Sequence, residues 1–233
     1  MNPYDHARSS ARLHGGCWED YHPLHSWFDA SKATRCHFTH RALRHHLEGV
    51  ADAEAVFGSY ILRADGHTVL TETLALQHIR EDCSIMPRAA DWLMGFGRPD
   101  WLPDAWPSAT DLAETSARRF GGTPESYVAL HRWFLDTANW VEGAGHLLFR
   151  HHAFGIFEAE HRFGAAIDHG QGAVPTRVVG EFHVRSVVGR IPSASDYLRH
   201  IKGARWMLQA TSPERLGLDR PRADRGHLEP IST

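Results

Sequence analysis

The chain has 233 residues, 42% of them hydrophobic and 23% charged, with a formal net charge of −3. That balance suits a folded globular protein and supplies no basic field for nucleic acid or an anionic membrane surface. No apolar run approaches the roughly 18–20 residues that span a bilayer, and MNPYDHARSS at the N-terminus has no signal-peptide pattern, so the composition points to a cytoplasmic protein. Cys17, Cys36 and Cys83 are odd in number and form no CxxC, as expected of reduced thiols. The outlier is histidine, at 19 residues.

In chain order, the first element is a short helix that ends at Gly15-Gly16, glycines suited to a C-terminal cap. A second helix follows, with Tyr21, Leu24, His25 and Phe28 on one stripe. The spacing then predicts a longer helix over about 38–57, ending at Gly58, with His40, Leu43, Leu47, Val50, Glu54 and Phe57 on one face. Two short strands flank the turn ADG at 64–66, and a last helix starts after Pro87. GRPDWLPDAWPSAT, 97–110, carries three prolines and reads as a linker.

The elements then repeat. ARLHGGCWEDYHPLHSWF, 11–28, aligns without a gap with ARRFGGTPESYVALHRWF, 117–134. HRALRHHLEGVADAEAVFG aligns with HLLFRHHAFGIFEAEHRFG, and QHIREDCSIMPRAADWL with FHVRSVVGRIPSASDYL. The chain is therefore a tandem duplication. Repeat 1 spans 4–96, the linker 97–110, repeat 2 111–207, and a polar, proline-punctuated tail 208–233 is expected to be partly disordered. The expected fold is α+β, mainly α, with three or four helices and a β-hairpin per copy. Each copy is small for independent stability, so the two are expected to pack as an intramolecular pseudo-dimer, monomeric or as a homodimer.

Five histidine pairs occupy equivalent positions: His25/His131, His40/His146, His45/His151, His46/His152 and His78/His183. All ten are candidate metal ligands. On a continuous helix His45 and His46 diverge by about 100°, so HRALRHH is no HExxH-type chelate. His46 would look over a notch at Gly49 and Ala53, and His78 would lie just after the second strand. Any site must then be gathered from several elements, with zinc the first candidate and iron, manganese or nickel the alternatives. Glu54 and Glu160 fall inside apolar stripes, where a carboxylate is costly unless paired or metal-bound, and are candidate bases. Trp27 and Trp133 read as core, and Asp91 and Asp196 as helix caps.

The copies differ around the shared histidines. Copy one carries Asp29, Ser31, Lys32 and Arg41; copy two has no matching lysine and has Leu147 at the position of Arg41. Copy two carries Glu181 where copy one has Leu76. One expectation is a composite site that combines Lys32, His40 and Arg41 from one half with Glu181 and His183 from the other.

The strings ARRFGGTPESY…LHRWF, HRALRHH…G and GEFHV…GRIPSASDYL resemble an uncharacterised domain family of bacteria and their phages. Its pattern runs approximately RRFGGxPExY, HxWxDxSKA, HRALxHHxxGIxxAExxFG and GExHVxxDxGRIPxxxDWL. Both copies match; copy one departs at GExHV, and copy two at DxSKA and HRAL. The resemblance implies the domain organisation and the histidine positions, and no reaction. Taken together, the residues suggest a metal-binding protein, a metal-dependent hydrolase or lyase acting on a small polar substrate. The alternative is a metal-free interaction or regulatory module whose histidines are structural.

Overall fold

The computed structural model describes residues 1–218. The first copy runs α1 (Pro3–His14), α2 (His22–Asp29), α3 (Leu47–Phe57), the hairpin β1 (Tyr60–Leu62) and β2 (Thr68–Leu70), α4 (Thr71–Cys83) and α5 (Ala89–Trp92). The second repeats it as α6 (Ala109–Phe120), α7 (Glu125–Leu135), α8 (Leu147–Arg150), α9 (Ala153–Phe163), β3 (Ala166–Asp168), β4 (Ala173–Pro175), α10 (Thr176–Val188) and α11 (Ala194–Leu198). The fold is mainly helical with one small antiparallel hairpin per copy, registered Ile61↔Val69 and Ile167↔Val174.

Local chemistry sets the element ends. Asn2 accepts a hydrogen bond from the Asp5 N–H at 2.8 Å, and Pro3 opens α1, a side-chain cap with a preset first φ. Asp91 and Asp196 accept from the Arg88 and Ser193 N–H groups at 2.7 and 3.0 Å, capping α5 and α11. Ser193 Oγ accepts in turn from the Asp196 N–H at 3.2 Å and completes a capping box.

Two elements differ from the expectation drawn from the sequence. The helix expected over 38–57 is broken: residues 38–43 form a 3-10 turn, and α3 begins at Leu47 with His46 as its N-cap, Nδ1 accepting from Gly49 N–H at 3.0 Å. His152 caps α9 in the same way through Gly155 at 2.9 Å. The break has a tertiary cause. The Pro87 and Pro192 carbonyls accept from the N–H groups of Leu47 and Ala153, both at 2.9 Å. Trp92 Nε1 and the Tyr197 hydroxyl bond the His45 and His151 carbonyls at 2.9 and 2.8 Å. These outside partners satisfy peptide groups that a continuous helix would pair internally. The notch at Gly49 is filled by the chain's own kink: a Cβ there would meet the Arg44 carbonyl oxygen at 2.0 Å, and at Gly155 the Arg150 carbonyl at 1.9 Å.

The second difference is α4 and its counterpart α10. His78 lies in the middle of the 13-residue helix α4, not beside a strand. That helix buries Leu74, Ala75, His78, Ile79 and Asp82 at helical spacing.

The two copies interlock. One core joins Leu24, Phe28, Leu74 and Trp92 of the first with Leu147, Leu148, Phe149 and Tyr197 of the second, while a smaller core around Tyr127, Phe134 and Val179 belongs to the second alone. Arg44 pairs with Glu158 at 2.6 Å, and Arg150 with Asp52 at 2.8 Å. Each guanidinium also lies over the tryptophan of its own copy, Arg44 over Trp27 and Arg150 over Trp133. The exchange is reciprocal, the signature of an isologous two-fold contact. The segments following each copy cross over in the same manner: Trp101 packs on Tyr197 and Trp206 on Trp92, ring centroids 4.8 Å apart in both. Residues 208–218 of the tail run back across copy one, where Thr211 N–H bonds the Glu81 carbonyl at 2.7 Å. The rest of the tail, 219–233, lies outside the described residues.

Candidate metal centre

Both copies carry a chain of buried imidazoles built from the same elements. In the second, Ser116 Oγ on α6 lies 2.9 Å from His131 Nε2 on α7. His131 Nδ1 is 2.8 Å from His183 Nδ1 on α10, and His183 Nε2 is 3.1 Å from His151 Nε2 in the kink before α9. The first copy reproduces the order with Ser10, His25, His78 and His45, at 2.8, 3.0 and 3.0 Å. Each link needs one N–H and one lone pair, so a run of neutral imidazoles satisfies it when all donate in the same direction. Burial favours that neutral form: it pushes His131 and His146 down to about 4, and His78 and His183 well below the ordinary imidazole value.

The copies part at the end of this chain. In copy one Asp82, on α4 one turn after His78, brings Oδ2 to 3.3 Å from His45 Nε2 and 3.1 Å from Arg41 Nε. Its Oδ1 is 3.3 Å from His6 Nε2 on α1 and 2.9 Å from the amino group of Met1. Asp29, at the end of α2, places Oδ1 3.9 Å from His45 Nε2 and Oδ2 2.7 Å from Lys32 Nζ. His6 Nδ1 meets Glu81 at 2.7 Å. In copy two the positions of His6, Asp29, Arg41 and Asp82 are held by Leu112, Leu135, Leu147 and Val187. The imidazole chain is thus part of the fold, and the charged groups around it belong to the first copy alone.

These charges alter the titration. Burial alone would raise Asp82, but hydrogen bonds from His45 and His6 outweigh it and hold the carboxyl well below the usual range. Burial pushes His6 down, yet Asp82 and Glu81 overcome it and leave its pKa above the ordinary value. His45 stays lowered, burial outweighing the attraction of Asp82.

Ligand-type atoms of Asp29, His45, His78 and Asp82 lie within 4.8 Å of one another, and so do those of His6, His25 and His78, every residue buried. His78 belongs to both sets. Among the described residues no such group includes a side chain of the second copy. Beyond these ion pairs, Asp29 Oδ1 and His45 Nδ1 are buried with no hydrogen-bond partner. Buried polar atoms without partners are costly, and two imidazoles with two carboxylates form a donor set that zinc, manganese or ferrous iron accepts.

Of the residues picked out by the sequence, His25, His45 and His78 come together, with Lys32 and Arg41 paired to the aspartates. His40 is buried beside them but bonds Ser31 Oγ at 3.0 Å, and His146 bonds Thr137 likewise at 2.9 Å. His46 and His152 cap helices. His131, His151 and His183 form the carboxylate-free chain. Glu54 and Glu160 are only half-buried on α3 and α9, because the helix that would have turned them inward with His40 is broken before Leu47. Glu181 is 41% exposed and pairs with Arg177 at 3.5 Å, so it joins neither His183 nor the first-copy group, and the expected composite site does not form. His6, Asp82 and Glu81 escaped the sequence reading. The signal that carries His6 and Asp82 is the contrast between copies: polar in one, Leu112 and Val187 in the other.

The fold and the cluster define a tandem, mainly helical domain pair with one charged histidine–aspartate group in its first half. The chain belongs to the family described as domain of unknown function DUF6915, whose model matches it twice, over residues 1–102 and 108–207. No curated protein and no solved structure matches it.

Proposed function

We propose that the first copy is a divalent-metal centre with Asp29, His45, His78 and Asp82 as ligands, His6 and His25 beside it, and that the second copy is its structural partner. The observation that carries this reading is the pair of buried aspartates at the end of the imidazole chain, whose ligand-type oxygens gather with nitrogens of His45 and His78 within 4.8 Å of one another, where the second copy has Leu135 and Val187. The reaction such a donor set suits is polarisation of water or a carbonyl on a small polar substrate, a hydrolase or lyase chemistry; zinc is the first candidate metal. Lys32 and Arg41 would then orient Asp29 and Asp82 and offset their charge.

Those same cations favour a second reading, a metal-free ion cluster. Asp82 already faces Arg41, His6 and the Met1 amino group, and Asp29 faces Lys32. The two readings separate on untagged protein. About one equivalent of zinc, manganese or iron, and a melting temperature lowered by chelator and restored by metal, supports the centre. Metal-free protein whose melting ignores both chelator and added metal leaves the ion cluster.

A further inference from the structure

A groove between the first and fourth helices occurs in both copies. In the first it encloses about 460 Å³ between α1 and α4, bounded by the returning tail at Thr211 and Leu216. In the second it encloses about 320 Å³ between α6 and α10. The walls correspond at seven positions, of which only Arg80/Arg185 is the same residue; the two changes nearest the buried imidazoles are His14 and Gln77 in the first copy, which are Phe120 and Phe182 in the second.

The consequence reaches the buried chain. Gln77 Oε1 accepts from Ser10 Oγ and faces His14 Nε2, both at 3.1 Å, and Ser10 bonds His25. Gln77 Nε2 donates to Glu81 Oε1 at 2.8 Å, and Glu81 bonds His6. The floor of the first groove is therefore a polar surface linked to two histidines of the cluster, to His6 directly through Glu81 and to His25 through Ser10. In the second, Phe182 packs edge-on against Phe120 at 5.8 Å and lies 6.3 Å from His131, with the Arg119 guanidinium over both phenyl rings. That groove ends in an apolar plug.

We propose that the α1–α4 groove of the first copy is the port of the metal centre, taking a small molecule whose anionic oxygen group Arg80 receives. The volume is that of a small-ligand cleft. Arg80 is exposed on its wall and its guanidinium makes no ion pair or hydrogen bond among the described residues, whereas Glu81 is engaged by His6, Ser9 and Gln77. The ligand's charge is thus set by the one uncommitted guanidinium, and its polar body by His14 and Gln77. The port rests on the metal-centre reading for its role, but not for its ability to bind.

The test uses the full chain and two readouts. Inorganic phosphate and acetate are titrated calorimetrically into wild type, Arg80→Gln, the plugged variant His14→Phe/Gln77→Phe, and the second-copy control Arg185→Gln. At least one anion should bind the wild type, about tenfold or more weaker in Arg80→Gln, undetectably in the plugged variant and unchanged in the control. Extraction of the bound metal by a chelator should be at least tenfold slower in the plugged variant. No binding of either anion, affinity unchanged in Arg80→Gln, or extraction as fast as wild type in the plugged variant overturns the port. A metal-free wild type would overturn the centre alone, because anion binding is read with or without metal.

Discussion

Replacing Asp82 by valine, the residue at the matching position of the second copy, removes the group on which the first-copy charges converge. Asp82 is fully buried and lies within 3.3 Å of Arg41, His6, His45 and the Met1 amino group. Without it the Arg41 guanidinium, 8% exposed, is left in the core with only two carbonyls. Breaking a buried pair by deleting one partner costs about 3–5 kcal/mol, roughly a fifth or more of the ~5–15 kcal/mol stability of an ordinary domain. Adding Arg41→Leu, again the second-copy residue, removes one of the stranded cations, the Met1 amino group being the other. Asp82→Val/Arg41→Leu should therefore be more stable than the single variant but recover only part of that loss, because the Asp82 and Met207 carbonyls lose their donor at about 1–3 kcal/mol each. Urea unfolding in chelator reads these terms, and metal analysis of both variants purified untagged without chelator should find none bound. A single variant within about 1 kcal/mol of wild type, against the pair cost above, or a double variant less stable than the single, refutes the reasoning.

Other outcomes follow from the same structure. Burial holds His131 and His146 down to about 4, while an unfolded imidazole titrates near 6.5. Between these values the unfolded chain binds more protons, so stability should fall as pH drops from about 6.5 to about 4, at up to ~1.4 kcal/mol per pH unit for each. A stability flat across that window would be inconsistent with their burial. Gly49→Ala or Gly155→Ala drives a Cβ into a backbone carbonyl and should cost about 3 kcal/mol or more by straightening the kink, in excess of ordinary overpacking; a thermal melt within 2 °C of wild type would refute the close approach. The cross-copy pair Arg150–Asp52 should show a coupling of about 1–3 kcal/mol in a double-mutant cycle, and a coupling near zero would mean that the copies do not hold each other there.

The duplication was legible because identical glycines, aromatics and histidines recur in one register, and the hairpins because their turns carry glycine. The kink at 44–46 was not. HRALRHH contains no proline or glycine, and its break comes from Pro87 and Trp92, some forty residues away. Helix α4 was hidden for another reason: β2 ends at Leu70 and α4 begins at Thr71, so no loop residue marks the boundary. Its stripe Leu74, Ala75, His78, Ile79 and Asp82 was nonetheless present in TETLALQHIREDC, and reading it would have put Asp82 one turn from His78. Asp29 was visible as a first-copy residue, but its role depends on the end of α2 meeting the kink that the sequence concealed.

The most direct measurement compares one histidine across the two copies. Metal content is determined for wild type, His78→Gln and His183→Gln, each purified untagged and dialysed against one equivalent of zinc. The account predicts about one equivalent in wild type and in His183→Gln, and none in His78→Gln, because only the first copy places aspartates at the end of its imidazole chain. Two equivalents in wild type, or equal retention in the two variants, would contradict it.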